Sequence, residues 1–283
     1  MATFVLSGFA DEIDPMIDVQ IEQMKRFGIG HIEMRGVDGK NIADCSMEEI
    51  RVVADKCRAA EMQISALGSP LGKISITDDM DEHMARLENL MEKAKILGTD
   101  SIRVFSFYLP KDEAPEKYRD EVLRRMQRMA NAAAQQQITL LHENEKGIYG
   151  DSAERCLDIF ESVGSDHLWA TFDPANFVQC GCQPYPHAYE LLKSYIRYVH
   201  IKDAKADGIV VPAGQGIGEV PKLLARLGQD GYRGFLSLEP HLGDFVGFAA
   251  LETEEETQKK PKSGADTFEI AVNALRSILE GVE

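Results

Sequence analysis

The stretch FGIGHIE at residues 27–33 joins the end of a helical pattern to the start of a strand-like run, with a glycine at position 28. The same order of features recurs as LGTDSIR at residues 97–103 and as LGQDGY at residues 227–232. Glycine is expected directly after the last helical residue because it adopts the left-handed backbone conformation that ends many helices. These junctions indicate a chain assembled from repeated helix–strand units.

Eight short β-type runs recur at intervals that suit alternating strands and helices. They lie at residues 4–7, 31–34, 63–67, 101–107, 138–143, 168–173, 196–201 and 235–239. Strands that alternate with helices form a parallel sheet, and eight such strands are the number that closes into a barrel. We therefore predict an α/β fold, a (β/α)8 TIM barrel that forms a single domain over residues 1–283. A doubly wound open sheet is the alternative, but no glycine-rich dinucleotide loop follows the first predicted strand.

Charge and hydropathy disfavour two classes of partner. The chain has 283 residues, of which 44% are hydrophobic and 28% charged, as in ordinary globular domains. Its net charge of −16 would repel a phosphate backbone, so we expect no nucleic-acid partner. No apolar run approaches the roughly 18 residues that span a bilayer, so we expect no membrane partner.

Cysteine usage and the first residues predict a cytoplasmic protein. The five cysteines are scattered and odd in number, which disfavours a disulfide framework. The Cys180-Gly181-Cys182 motif could indicate a thiolate metal site, but no further ligands stand at matching spacing. The first seven residues carry no basic segment ahead of their apolar run, unlike a secretory signal.

Polar residues recur at the ends of the later predicted strands, and strand parity predicts which way they point. Alternate residues of a strand face the same side. The residues that end predicted strands five to eight, with parity opposite to their apolar neighbours, are Glu143, Asp173, His200 and Glu239. Because the outer side of a barrel meets helices, this set is predicted to face the lumen. His142 has the other parity and is predicted to face the helices.

The convergence of these four residues predicts a metal site. Three buried carboxylates without a counter-charge would repel one another, and burial would raise their pKa values. A divalent cation resolves this conflict, and three oxygen ligands with one imidazole suit Mn²⁺, Mg²⁺ or Co²⁺, with Zn²⁺ also open. We predict one divalent metal ion, with Mn²⁺ expected, bound by Glu143, Asp173, His200 and Glu239. The alternative is that each residue caps a loop or pairs with a nearby cation.

Four short motifs, taken in order and spacing, resemble a known family. They are Glu143-Asn144, Asp173-Pro174-Ala175-Asn176, His200-Ile201-Lys202-Asp203, and the run from Gly231-Tyr232 to Ser237-Leu238-Glu239-Pro240. Over essentially the whole chain, the sequence resembles the sugar isomerase/epimerase superfamily with the xylose-isomerase-like barrel. That superfamily includes tagatose and psicose 3-epimerases, hydroxypyruvate isomerases, inosose dehydratases and type IV apurinic endonucleases. The resemblance implies the same four metal ligands.

The resemblance further implies an isomerase or epimerase acting on a small sugar, sugar acid or sugar phosphate. In such enzymes the two glutamates lie on opposite faces of the substrate and a metal-stabilised enediolate forms between them. The implied catalytic residues are Glu143 and Glu239, one removing a proton beside the carbonyl and the other returning one. Two positions depart from the ketose 3-epimerases. Tyr149 replaces a second glutamate, and Asn176 replaces a frequent histidine.

Further polar residues are candidate substrate ligands. They are Glu33, Arg103, Asn176, Lys202 and His241. Lys202 could bind a phosphate or carboxylate, or it could pair with Asp203 or a site carboxylate. Arg103 could contact substrate or neutralise an acidic wall residue such as Glu33. Asp203 is also a candidate to orient a metal ligand.

Other functions and features stay open at this point. A dehydratase would use the same enolate to expel a β-hydroxyl, and a sugar-binding protein would use the site without catalysis. DNA hydrolysis is disfavoured by the acidic charge and by a ligand set with one histidine. The expected partner is a small carbohydrate, and the resemblance allows a homodimer. The charged residues 251–262 form either a solvated loop or a lid over the barrel mouth.

Overall fold

Eight parallel strands surround a common axis in the computed structural model, which describes residues 3–246 and 262–282. The strands are β1 (Thr3–Gly8), β2 (His31–Met34), β3 (Gln63–Leu71), β4 (Ser101–Val104), β5 (Thr139–Glu143), β6 (Leu168–Phe172), β7 (Ile196–Ile201) and β8 (Arg233–Leu238). Parallel ladders join β2 through β8 in sequence order, and β8 pairs with β1. Within the described residues no ladder joins β1 to β2, so the barrel is nearly closed.

Helices follow the strands and cover the outside of the barrel. In the described part of the chain they are α1 (Ile17–Arg26), α2 (Met47–Ala59), α3 (Met80–Leu97), α4 (Arg119–Gln135), α5 (Ala153–Val163), α6 (Pro174–Gln179), α7 (Tyr189–Leu192), α8 (Val220–Gln229) and α9 (Ala265–Glu280). Their apolar faces and the outward side of the strands form one large buried core. The structure thus confirms the predicted single-domain TIM barrel. None of the helices in these ranges combines the length and apolar character that a bilayer span requires.

The observed first and last residues of the strands agree with the predicted ones for β2 and β7 and differ for β3 and β4. β2 and β7 have their predicted bounds. β4 ends at Val104, three residues before the predicted end, while β3 continues to Leu71. The chain leaves the sheet after Val104 because Phe105 donates its N–H to the Leu71 carbonyl and Phe107 adopts a left-handed conformation, with φ of 68°.

The predicted glycine junctions occur at two of the three positions. Gly28, two residues after the end of α1, has a φ of 63°, and Gly98, directly after the end of α3, has a φ of 78°. Gly228 instead lies inside α8, and Gly231 adopts the left-handed conformation, with φ of 75°. The motif therefore predicted where the helix ends, but not which residue adopts the left-handed conformation there.

The barrel lumen is apolar and hydroxyl-lined at its lower end and charged at its upper end. Ala66, Leu141 and Tyr198 form a small apolar cluster inside the barrel. The Tyr198 hydroxyl lies 2.8 Å from the Ser65 hydroxyl, which in turn lies 2.6 Å from that of Ser7. The charged side chains lie at the carboxyl ends of the strands, where TIM barrels carry their functional sites. The charged segment at residues 251–262 lies, apart from Lys262, outside the described residues.

Candidate metal centre and active site

The ends of strands β5 to β8 bring four acidic and imidazole side chains together. Ladder register places Glu143 beside Thr171 at the end of β6 and His200 beside Ser237 of β8. One ligand atom from each of Glu143, Asp173, His200 and Glu239 lies within 4.8 Å of all the others. All four side chains are at most 3% exposed. We call this group the carboxylate–histidine cluster.

His200 is oriented by partners on both ring nitrogens. Its Nε2 lies 3.1 Å from Glu33 Oε2, and that oxygen accepts a hydrogen bond of 2.6 Å from the Ser237 hydroxyl. Its Nδ1 faces the cluster, at 3.1 Å from Glu143 Oε1 and 3.4 Å from Glu239 Oε2. Without a metal, the neighbouring carboxylates raise the pKa of His200 well above its usual value and outweigh burial, so the ring is protonated. A cation that displaced the Nδ1 proton would leave the Nε2–H on Glu33 and the Nδ1 lone pair directed at the cluster. This is the arrangement in which a second residue fixes the tautomer of a metal-binding histidine.

Two cationic side chains are ion-paired with the cluster. Arg103 Nη1 lies 3.1 Å from Glu143 Oε2 and 3.5 Å from Glu239 Oε1. Lys202 Nζ lies 3.0 Å from Asp173 Oδ2 and 2.9 Å from Glu239 Oε2. Both cations are buried. Of the alternatives that the sequence left open for Lys202, pairing with site carboxylates is therefore the one seen in the structure.

The electrostatic environment shifts the pKa values of two cluster carboxyls in opposite directions. Burial alone would raise the pKa of Glu143, but the positive charges of His200 and Arg103 outweigh it and lower that pKa to about 2. Burial raises the pKa of Asp173 to about 7; the negative charges of Glu143 and Glu239 act in the same direction and outweigh the opposing positive charge of Lys202. Asp173 is thus the carboxyl of this pair whose ionised form most lacks compensation, and a nearby cation would favour that form.

Two asparagines hold the ends of β5 and β6 together. The Asn144 side chain accepts the Asp173 N–H at 2.9 Å and donates to the Asp173 carbonyl at 2.9 Å. Asn176, in the first turn of α6, donates its amide to Glu143 Oε1 and to the Asn144 carbonyl, each at 3.0 Å. Asp173 also caps α6 by accepting the Asn176 N–H. These bonds fix the positions of two candidate metal ligands relative to each other.

Residues from the other side of the barrel complete the site, and sequence reasoning missed most of them. His241 Nε2 lies 3.5 Å from Glu239 Oε1 and 3.6 Å from Glu12 Oε1. Arg35 forms a two-pronged ion pair with Asp11, at 2.8 and 3.1 Å, and also reaches Glu239 Oε1 at 3.3 Å. Arg35 continues the parity of Glu33 along β2, which is a signal that could have found it. Glu12 and Asp11 lie in a turn after β1 and follow no periodic pattern.

The five predicted substrate ligands all lie at this site. Each of them contacts a member of the carboxylate–histidine cluster; they are Glu33, Arg103, Asn176, Lys202 and His241. Their contact with substrate stays a prediction. Tyr149 lies elsewhere, since its hydroxyl donates to Asp158 on α5 at 2.7 Å. His142 also lies outside the lumen, with its ring 5.8 Å from that of Phe160.

Asp203 holds a glycine-rich loop. Its carboxylate accepts the backbone N–H groups of Gly214, Gly216 and Gly218 at 2.9 to 3.0 Å. A Cβ atom at position 216 would lie 2.3 Å from Asp203 Oδ1, so the chain approaches too closely there for any residue but glycine. The side chain thus orders the loop after β7, and within the described part of the chain its hydrogen bonds go to backbone N–H groups and not to a candidate metal ligand.

The residues of the cluster fit a divalent metal ion. Asp173 Oδ2 is fully buried and makes no hydrogen bond, although Lys202 Nζ lies 3.0 Å away. Among the described residues, the carboxylates of Glu33 and of the three cluster acids face the cations Arg103 and Lys202, while Arg35 is shared with the acidic turn after β1. The four carboxylates outnumber these two cations, and a divalent ion that displaced the protons of His200 and Asp173 would balance the excess. Oxygen donors with one imidazole are a donor set that hard divalent cations accept.

The sequence matches the model of the xylose isomerase-like TIM barrel family over residues 21–266. The chain belongs to this family. The resemblance stated from the four sequence motifs is therefore confirmed. No curated protein sequence is significantly similar to that of this family member.

Solved structures of other xylose isomerase-like barrels share the fold at low sequence identity. The IolI protein with a bound zinc atom has a TM-score of 0.75 and 16% identity, covering 99% of both chains. D-allulose 3-epimerase from Methylomonas sp., in complex with D-allulose, has a TM-score of 0.73 and 17% identity, covering 99% of this chain and 98% of the other. The probable 3-DHS dehydratase AsbF from Bacillus anthracis has a TM-score of 0.72 and 17% identity, covering 98% and 99%. At these identities the likeness shows the fold.

Proposed function

We propose that the protein is a divalent-metal-dependent isomerase or epimerase of a small sugar, sugar acid or sugar phosphate. The observation that carries the proposal is the convergence of Glu143, Asp173, His200 and Glu239 within 4.8 Å at the carboxyl end of the barrel. The proposed ligands are these four residues and the proposed ion is Mn²⁺. When bound, the ion would supply Lewis-acid chemistry to adjacent carbonyl and hydroxyl oxygens of a sugar.

Glu143 and Glu239 are the proposed proton-transfer pair. Arg103 Nη1 lies within 3.5 Å of an oxygen from each, so the two carboxylates face one shared region. One carboxylate would remove the proton beside the sugar carbonyl, and the other would return a proton, to the neighbouring carbon in isomerisation or to the opposite face of the same carbon in epimerisation. Asn176 holds Glu143 in place, and Lys202 does the same for Glu239. Positioned carboxylates of this kind are what general acid–base catalysis requires.

Dehydration of a sugar or inosose is the second candidate, and Lys202 is the observation that favours it. β-Elimination needs a proton for the departing hydroxyl. The Lys202 ammonium lies between Asp173 and Glu239, within 3.0 Å of both, and is a buried N–H donor beside the proposed base, although these carboxylates raise its pKa. The fold neighbour described as a probable dehydratase agrees with this candidate without distinguishing it from isomerisation. A sugar-binding protein without catalysis is the third candidate.

Isotope exchange in metal-stripped protein tests the proposal and separates the candidates. Mn²⁺, Mg²⁺, Co²⁺ or Zn²⁺ is added, and ketoses, sugar acids and inososes are followed by NMR in D₂O. Deuterium entering the carbon beside the carbonyl without loss of water supports isomerisation or epimerisation, whereas loss of water supports the dehydratase. Tight binding of a sugar without exchange or turnover supports the binding protein.

Matched carboxylate variants identify the proton-transfer pair. Glu143→Gln and Glu239→Gln are expected to lower exchange by about 10²-fold or more, the scale of a lost acid or base. Glu154→Gln is the control because Glu154 is exposed and pairs with His187 on the surface. Metal-independent turnover together with full activity in Glu239→Gln would refute the proposal.

A further inference from the structure

A cavity of about 460 Å³ lies beside the carboxylate–histidine cluster at the barrel mouth. Arg35 lines the cavity and also reaches Glu239 Oε1 at 3.3 Å, so one side chain separates the cavity from a proposed catalytic residue. The volume corresponds to about 15 water molecules at ~30 Å³ each. It also lies within the range of about 300–1,000 Å³ typical of pockets for drug-sized ligands. The cavity is therefore large enough for a group of ring size.

The walls of this cavity carry apolar and aromatic side chains. Tyr108, Phe245, Val37, Pro70 and Val246 all line it. Tyr108 is 37% exposed and Val246 is 62% exposed, so apolar surface stays in water at the rim. Exposed apolar surface beside a concave site is typical of a ligand-binding region.

The cations of the cavity are already paired with acids. The pairs are Arg35 with Asp11 at 2.8 Å, Lys73 with Glu145 at 3.2 Å and Lys40 with Glu49 at 2.5 Å. Among the described lining residues, every lysine and arginine is thus neutralised. A phosphate or carboxylate that contacted Arg35 or Lys73 would compete with the acid already paired with it, whereas an uncharged ring would not.

Arg35 forms a fixed floor between the cavity and the cluster. Its guanidinium carbon lies 4.4 Å from the centre of the Phe9 ring and 4.6 Å from that of Phe245, so the group is held over two aromatic faces. The Phe245 ring also lies 5.7 Å from the ring of His241. The side chains of Arg35 and His241 therefore separate the aromatic wall from Glu239 by a single layer.

We infer that the substrate carries an uncharged aryl substituent and that this cavity binds it against Tyr108 and Phe245. Flat aromatic groups gain from contact with aromatic walls beyond the area that they bury. The inference rests on the proposed function for the identity of the reacting sugar. It adds the class of substrate: a sugar with a free carbonyl that bears a neutral aryl group at another position, rather than a sugar phosphate.

Binding of matched sugar derivatives tests this inference independently of turnover. The protein is titrated with five compounds, and binding is followed by calorimetry and saturation-transfer NMR. The compounds are the phenyl and methyl β-D-glucosides, the phenyl and methyl β-D-galactosides, and glucose 6-phosphate. We expect phenyl glycosides to bind about 10- to 100-fold more tightly than their methyl counterparts. Tyr108→Ala and Phe245→Leu should each reduce this preference several-fold. Ile270→Ala, an exposed apolar change on α9, should leave it unchanged.

The outcomes for the two proposals are distinguishable. The absence of a phenyl preference, whether both glycosides bind or neither does, overturns the aryl inference, as does tighter binding of glucose 6-phosphate than of the phenyl glycosides. Deuterium exchange into unsubstituted ketoses without a phenyl preference leaves the proposed isomerase in place and removes the aryl subsite. A phenyl preference that Tyr108→Ala weakens, without exchange for any sugar, supports the subsite and refutes the isomerase.

Discussion

His83 on α3 is a buried group whose protonation we expect to destabilise the barrel at mildly acidic pH. Its Nε2 accepts the Gly72 N–H at 2.9 Å, and its ring packs against that of Phe107. Burial, helped by the positive charges of Arg86 and Arg125, lowers the pKa of His83 to about 4. The folded protein therefore keeps this imidazole neutral, with Nε2 as an acceptor.

The size of the effect follows from the difference between the folded and unfolded pKa values. An unfolded histidine has a pKa of about 6.5, so the unfolded chain binds the proton first as pH falls. Stability is thus fully present above about pH 6.5 and is lost as the pH falls towards 4. The difference of about 2.5 pKa units corresponds to about 3 kcal/mol in total, and linkage puts about 2 kcal/mol of this between pH 7 and pH 5.

Urea unfolding at pH 7 and pH 5 measures this contribution in metal-free buffer. His83→Gln retains an oxygen that can accept the Gly72 N–H but does not titrate. The variant should lose about 2 kcal/mol less than the wild type between the two pH values. Burial also lowers the pKa of His142 to about 4. His142 therefore contributes the same pH dependence to the wild type and the variant, and its effect cancels when the two stability losses are subtracted.

A surface histidine provides the control, and one result would refute the reasoning. The His187 side chain is 50% exposed, so His187→Gln should lose as much stability as the wild type does. If His83→Gln also loses as much as the wild type between pH 7 and pH 5, then His83 is not a group that couples folding to protonation.

Three further predictions concern residues that position the site. Asn144→Ala removes both buried hydrogen bonds to the Asp173 backbone and should lower the free energy of unfolding by about 2–4 kcal/mol, measured by chemical denaturation. Glu33→Gln weakens the partner that orients His200 and should reduce Co²⁺ affinity about 10- to 100-fold in a spectroscopic titration, while an unchanged affinity would refute that role. Asp203→Ala leaves three loop amides without their acceptor and should speed proteolytic cleavage at residues 212–218 by about 10-fold, with equal cleavage rates counting against it.

The sequence predicted much of the architecture because a barrel repeats one local pattern. β2 and β7 had the right bounds because apolar residues change to polar or glycine positions at their ends. β4 was predicted too long because Phe105 and Phe107 look like strand residues. Their backbone instead turns towards β3, and only a tertiary contact to Leu71 shows this.

Strand parity also predicted which polar side chains meet in the lumen, since it depends on the backbone alone. Glu33, Arg103 and Lys202 all lie inside the barrel, as parity required, while His142 lies outside. Strand parity does not predict which side chains form ion pairs with one another. The pairing of Arg103 with two glutamates depends on the distance across the lumen, which no single strand encodes. Glu12 was missed because it enters from a turn, where side-chain direction has no period.

The missing ladder between β1 and β2 has a consequence for the order in which the barrel assembles. In the described chain, the ladder partner of β1 is β8, with Thr3 opposite Arg233. During synthesis, β1 is made well before β8, so it has no ladder partner until most of the described chain has followed. Closure thus depends on contacts between the two ends of the sequence, which are slow to form. A circular permutant that places residues 3–26 after α9 would make this pairing local, and we expect it to refold faster than the natural order.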